Sequence, residues 1–291
     1  GHEFYKSKGG TPIRVFKSAD GRLAFAGGWQ IDHNNKPLPV NAEDIYIKEN
    51  GKSYVLNGQM PLTTDKSVYM TLDGREEFSK FLELMDNDGA DLFATTVTKN
   101  NYTAGGGPSS KNLKLLDNYN YTIYAPTNNS IQELIDKGLL PTWEDYEEQT
   151  DSIWGTEDAA EEAKAIIKDI IVSFLRYHVQ DHAILIGMAP ENGKYENTLE
   201  TMRRNLETGK FYPVTVNNDG GQMWVQDMQG NKRNVVKTDG LYNRICREYW
   251  FKSTGQCYMA SDAVVHQIDG VLLAEEMKPW KEILNKNVRR K

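Results

Sequence analysis

Apolar residues recur at Ile166, Ile167, Ile170, Ile171, Phe174 and Leu175, the i, i+3, i+4, i+7 spacing that lines one face of an α-helix. Thr156 precedes the stripe as an N-cap, with Glu157 and Asp158 where the helix dipole favours acids. The stripe runs on to His178, which aims that imidazole at the core. "GREEFSKFLELMDNDG" (74–89) carries a second stripe at Phe78, Phe81, Leu82 and Met85, and predicts a helix capped by Asp73 with Glu76. Another short helix is expected around Ala90 to Val97, followed by a polar loop over 100–112.

"YTIYAPTNNSI" (121–131) changes period within three residues. Tyr121, Ile123 and Tyr124 read as strand, whereas Asn128 to Leu134 read as helix. Pro126 has no N–H to donate and a fixed φ, so the ladder stops there. Thr127 is placed to cap the helix with its hydroxyl, and Gly138 to end it.

A degenerate repeat frames these elements. "EFYKSKGGTPIRV" (3–15) leads to "GKSYVLNGQMPL" (51–62), and "GKFYPVTV" (209–216) leads to "AVVHQIDGVLLA" (263–274). Aligning Gly58 with Gly270 pairs Asn57 with Asp269, Leu56 with Ile268 and Tyr54 with His266. Both copies are rich in Val, Tyr, Gly and Asn, which predicts short strands and turns.

Apolar residues make up 39% and charged residues 26%, the balance of a globular chain with no 18-residue apolar run to span a membrane. No basic, apolar leader precedes the first strand, and Gly1 reads as a cut end of a mature protein. A net charge of −7 sets the chain against phosphate backbones and argues against nucleic acid as partner. Between Gly138 and Ala163 stand Glu144, Asp145, Glu147, Glu148, Asp151, Glu157, Asp158, Glu161 and Glu162, with no Lys or Arg. After Trp280 the chain is basic. A solvated loop and a frayed terminus are expected for these two stretches. Cys246 and Cys257 lie about 13 Å from register in a hairpin turning at 252–255, too far for a disulfide.

Candidate chemistry is sparse. Gly105 to Gly107 lack the Gly-Lys-Ser/Thr that would make a phosphate cradle. "DNDGAD" (86–91) fails the EF-hand spacing. His178 and His266, with His182, would be the set for a metal; the reading favoured here is two buried imidazoles satisfied by hydrogen bonds. No nucleophile or dinucleotide motif appears, so no catalytic, cofactor or metal residue is assigned. Trp143, Tyr146 and Trp154 fall in the acidic stretch 141–155 and are the candidate binding residues, through stacking on sugars or anchoring a protein.

"YTIYAPTNNSIQEL", "FLRYHV" (174–179) and "AVVHQIDGVLLA" resemble, in this order, three signatures of the fasciclin domain. The resemblance covers roughly residues 68–275, and places Pro126, Thr127, Tyr177, His178, His266, Asp269 and Gly270 on its structural motifs. It implies an α+β fold: a wedge of short strands with a cluster of helices, residues 67–276, with insertions near 141–155 and 220–234. Residues 1–66 resemble the C-terminal half of a preceding domain, a closely packed β-rich body with Tyr54 where His is expected, and 277–291 form a basic tail. The implied function is a non-enzymatic adhesion or binding module of the extracellular or cell-surface kind, acting on a protein. The few cysteines and the insertions look more like bacterial members, some of them lipid-anchored. A carbohydrate-binding accessory of a glycan-uptake system is the alternative, and a hydrolase the third class.

Overall fold

A computed structural model describes residues 2–8, 11–32, 40–60, 64, 66–95, 111–113, 120–189, 194–251 and 257–288. The chain is α+β. Strands β1 (Phe4–Lys6), β2 (Pro12–Lys17), β3 (Leu23–Ala26), β4 (Val40–Lys48) and β5 (Gly51–Leu56) form an antiparallel sheet in chain order, with α1 (Gly28–Asp32) after β3. Helices α2 (Val68–Asp73) and α3 (Ser79–Met85) follow, then the small pair β6 (Phe93–Thr95) and β7 (Lys111–Leu113). Next come β8 (Asn120–Pro126), α4 (Asn128–Asp136), α5 (Trp143–Glu147), α6 (Asp151–Trp154), α7 (Glu157–Tyr177) and β9 (Val179–Asp181). Strands β10 (Glu196–Arg204), β11 (Phe211–Asn218), β12 (Met223–Gln226), β13 (Lys232–Asn234), β14 (Arg244–Phe251) and β15 (Cys257–Ile268) lead to α8 (Trp280–Asn287).

The large sheet runs β13, β12, β11, β10, β9, β8, β15, β14. Every pairing is antiparallel except β8 with β15, which sets Tyr124 opposite His266 and Pro126 opposite Ile268. Tyr121, Ile123 and Ala125 on one face of β8 join Phe78, Phe81, Ile131, Ile167 and Ile171 in the main core. Tyr124 on the other face packs with Val214, Val216, Val225 and Ile268. A strand buried on both faces is largely apolar, which is why the run 121–125 does not alternate inside and outside; its polar exception, Thr122, donates to the His182 carbonyl at 2.7 Å.

The N-terminal sheet rests against the far side of the β14–β15 pair. Phe4, Ala26 and Ile31 are buried with Ala183, Leu185, Ile245 and Val264. The Glu3 and Phe4 amides donate to the Gly187 carbonyl at 2.8 and 3.1 Å. Beyond this contact the β4–β5 hairpin runs out with Ile45, Tyr46, Ile47, Tyr54 and Val55 exposed, Ile47 at 70%. The residues aligned by the repeat therefore part company: His266 is fully buried, Tyr54 is more than a third exposed. The cause is topological. β15 has β8 along its second edge, whereas β5 is the last strand of its sheet.

Several local expectations are corrected. No helix forms over Ala90–Thr95; Phe93–Thr95 pairs with Lys111–Leu113, and residues 96–110 lie outside the described residues. Asp73 ends α2 instead of capping the next helix; Ser67 caps α2 by accepting from the Met70 amide. The amide end of α3 is met from a distance, since Asn128 accepts from the Lys80 N–H and donates to the Glu76 carbonyl, each at 2.9 Å. Thr127 occupies the N-cap of α4, but its hydroxyl reaches Ser130 Oγ at 3.5 Å and no backbone amide. At the other end Gly138, at φ 65°, takes the left-handed position, and Gly138 and Leu139 donate to Ile135 and Leu134, a Schellman closure.

Much of the two stretches expected to be loop and frayed end is helical, and residues 289–291 lie outside the described residues. Thr142 and Asp145 form a capping box on α5, and Trp280, Leu284 and Val288 bury one face of α8 at intervals of four residues. The 220–234 insertion is strands β12 and β13, which extend the sheet edge. Cys246 lies opposite Ala263, with its buried Sγ 3.2 Å from Thr71 Oγ1.

Glu248 was not singled out by sequence, yet it is fully buried on β14. Its two oxygens accept from the Val68 amide at 2.7 Å and the Leu113 amide at 2.8 Å, tying α2 and β7 to the sheet. Burial pushes its pKa from 4.5 up to about 7, against the two amides, which lower it.

Two predictions follow from these contacts. Thr156 accepts from the Ala159 amide, so Thr156→Ala should cost about 1 kcal/mol in urea unfolding. Thr127→Ala, removing no amide bond, should cost at most a few tenths; equal losses would contradict the capping geometry. For Glu248 the folded chain keeps a proton that the unfolded chain sheds between about pH 4.5 and 7, so its contribution is full below 4.5 and drains as pH rises through 7. The stability gap between the native chain and Glu248→Gln should therefore narrow from pH 5 to pH 8, and a gap independent of pH would refute the assignment.

Candidate functional site

The motif residues converge on the C-terminal end of α7 and the irregular segment that leaves β15. His178 follows the last turn of α7, where Phe81 and Phe174 pack on its ring, with centroids 5.8 and 4.5 Å away. Its Nδ1–H donates to the Phe174 carbonyl at 2.8 Å, and its Nε2 accepts from the Leu272 amide at 3.0 Å. His266 is treated alike: Nε2–H donates to the Ile184 carbonyl at 2.8 Å and Nδ1 accepts from the Asn243 amide at 3.3 Å. Burial lowers both imidazoles to about pKa 4, opposed by the carbonyl each one faces. Each ring nitrogen is thus committed on a neutral ring. No cluster of three metal-binding side chains occurs among the described residues.

The same bonds fix the segment 271–275, which has no regular structure to hold it. Arg233 Nε donates to the Val271 carbonyl at 2.9 Å, Asp227 Oδ2 accepts from the Leu273 amide at 2.9 Å, and Gln229 Nε2 donates to the Ala274 carbonyl at 3.1 Å. Glu275 is held by Arg203 at 3.2 Å and by the Tyr212 hydroxyl at 2.8 Å. Asp269 accepts from the Asn234 amide and side chain, both at 2.8 Å. Gly270 is required by close approach: a Cβ there would lie 2.7 Å from Arg233 Nε. Further along, the Trp280 amide donates to the Gly138 carbonyl at 3.0 Å.

Between this tethered segment and α7 lies a groove of about 890 Å³. Ile166, Ile170 and Phe174 form its helical wall, Leu273 and Met277 the opposite wall, and Leu139 and Ile283 one end. Glu162, Asp169, Glu276 and Lys278 stand at its rim. Tyr177 borders it too; its hydroxyl donates to the Pro213 carbonyl at 2.8 Å and accepts from the Met228 amide at 3.1 Å.

Trp143 and Trp154 do not supply an exposed recognition face. Both indoles are buried in the main core; Trp143 Nε1–H donates to the Leu84 carbonyl and Trp154 Nε1–H to Gln149 Oε1, each at 2.9 Å. They hold α5 and α6 against α3 and α7, which explains aromatics inside an otherwise acidic stretch. Tyr146, half-buried, stacks edge-on against Trp143 at 5.7 Å with Lys164 over its ring. Sequence reasoning missed Asp227, whose oxygens accept from the Gln229, Asn231 and Leu273 amides and from Asn231 Nδ2. Its signal was present in "DMQGN" (227–231), the Asp-turn-Gly pattern of a side-chain-closed turn.

No family profile and no curated protein matches this chain. Among solved structures it is similar to a FAS1 domain pair from the insect cell adhesion molecule fasciclin I, at 13% identity, over 90% of this chain and 67% of that one, with a TM-score of 0.34. Similarity of that size establishes neither family nor function.

His178 and His266 give the site a pH signature. The unfolded chain takes up protons on them near pH 6.5, the folded chain only near 4, so their contribution is full above 6.5 and is lost as pH falls toward 4. His178→Gln should therefore be less stable at pH 7.5 but show a shallower fall in urea midpoint between pH 6.5 and 4.5. An unchanged slope would mean that the ring is not held neutral.

Proposed function

We propose that this chain is a non-enzymatic binding module that acts through protein–protein contacts, in an extracellular or cell-surface setting. The observation that carries the reading is the preformed groove beside α7. Its apolar walls are held in place by side-chain bonds to Leu272, Leu273, Ala274 and Glu275. Binding of this kind benefits from pre-organisation, because little conformational entropy remains to be lost on contact. The three fasciclin-like motifs support the extracellular setting. In this reading residues 67–276 make one fasciclin-like unit and residues 1–66 the C-terminal half of another.

The test is selection of displayed peptides on the immobilised chain, with a glycan array run in parallel. Peptides are expected to enrich, and to bind at least about tenfold more weakly, a loss of roughly 1.4 kcal/mol, to Ile166→Glu/Met277→Glu and to Ala165→Trp. Ala165 is exposed at the groove, so the indole fills it from outside the core. Glycan binding untouched by both variants, with no peptide enriched, would overturn the proposal.

A further inference from the structure

The shape and charge of the groove narrow its occupant. Along α7 the wall from Glu162 to Tyr177 is about 22 Å long at 1.5 Å per residue, room for about four helical turns. An extended peptide would need a free backbone edge to pair with. Little of one is on offer. The carbonyls and amides of α7 are spent within the helix, and on the facing segment the Val271 and Ala274 carbonyls and the Leu272 and Leu273 amides already have side-chain partners. An occupant that satisfies its own backbone, as a helix does, suits these walls.

Charge sets the second condition. At the rim Arg203 is held by Glu275 and lies over the Tyr212 ring, 4.6 Å from its centroid. Glu162, Asp169 and Glu276 then face Lys278 as the one further cation among the lining residues. Past Glu162 the helical wall continues into Asp158 and Glu157, with Glu161 paired to Lys164 at 3.3 Å, and the neighbouring α5–α6 stretch brings Glu144, Glu147, Glu148 and Asp151 without a Lys or Arg. Acids outnumber cations at that end of the groove, and its interior is apolar.

We propose that the groove between α7 and residues 271–278 receives an amphipathic helix of a partner protein, its apolar stripe on Ile166, Ile170, Leu273 and Met277 and its flanks basic. This rests on the reading of the chain as a protein-binding module and names the partner's chemistry. Such a helix places anchors at i, i+3, i+4 and i+7 along the groove while Lys or Arg on either side meets the rim acids.

Three synthetic probes of about 18 residues decide it, a length of about 27 Å when helical. One is a Leu/Lys amphipathic helix, one its Leu/Glu counterpart, and one a Leu/Lys peptide of alternating pattern that favours a strand. Binding is followed by fluorescence anisotropy on the whole chain at about 0.05 M and about 0.3 M salt. The Leu/Lys helix should bind, weaken with salt, and lose about tenfold or more both to Glu162→Lys/Asp169→Lys/Glu276→Lys and to Ile166→Glu/Met277→Glu. Circular dichroism of each variant confirms that it folds, and the exposed Ala165→Trp variant serves should the apolar pair not. Equal binding of the Leu/Lys helix to native chain and to Ala165→Trp means attraction to the acidic surface at large and overturns the proposal. So does binding of the alternating peptide as tightly as the helix. Preference for the Leu/Glu helix, lost in Ala165→Trp, sinks the basic partner but leaves the protein-binding reading standing. No binding by any probe, together with no displayed peptide sensitive to the groove variants, removes both.

Discussion

The parallel pairing of β8 with β15 is the constraint on which the rest of this molecule depends. Two strands far apart in sequence lie side by side inside an eight-stranded sheet, one strand in from its β14 edge, with helices against one face and further strands and the N-terminal sheet against the other. Polar groups on them are removed from water, which is costly unless they are met inside the protein; Tyr121 Oη and Ser261 Oγ find no hydrogen-bond partner among the described residues, but others do. Thr122 meets the His182 carbonyl and the Ile184 amide, Tyr124 donates to Gln180, and His266 spans the Ile184 carbonyl and the Asn243 amide. The polar residues that look like chemistry in the sequence are the ones that make this burial tolerable.

The same logic extends to the groove. Where β15 ends, at Ile268 beside Pro126, the chain leaves the sheet without entering a helix until Trp280. An irregular segment against a core is costly unless its amides and carbonyls find partners. Here they find four side chains: His178 after α7, Asp227 and Gln229 in the β12–β13 turn, and Arg233 on β13. Residues 220–234 therefore do more than lengthen a sheet edge. They supply three of the four tethers that keep one wall of the groove in place, so the sheet edge and the groove are parts of one device.

Much of this was readable from residues. Thr156 and the 3.6-residue period through Phe174 specify α7 locally, and Pro126 and Gly138 punctuate β8 and α4 through properties of their own backbones. What escaped depended on partners distant in sequence. Thr127 has the composition of a cap, but Asn128 bonds the start of α3 and the Thr127 hydroxyl turns to Ser130. The indoles of Trp143 and Trp154 sit among acids, and only the fold shows that α5 and α6 turn them inward and the carboxylates outward. Glu248 joins residues 180 and 135 positions away, a contact that no local pattern encodes. The groove has walls from 162–177 and 271–283, and neither segment alone reads as a site.

The N-terminal sheet sharpens the point that sequence likeness does not carry environment. Tyr54 and His266 align within the repeat, and each sits in the second strand of a hairpin. His266 is sealed by β8 on one side and by the 184–186 segment above it, so it is neutral and fully bonded. Tyr54 has neither neighbour; it packs on Phe25, with ring centroids 5.1 Å apart, and leaves the rest of its ring to solvent. An imidazole there would keep water as its partner and would have no reason to be neutral. The position tolerates a phenol because burial, the property that makes histidine useful at 266, is a product of the strand alongside and is absent where β5 ends its sheet.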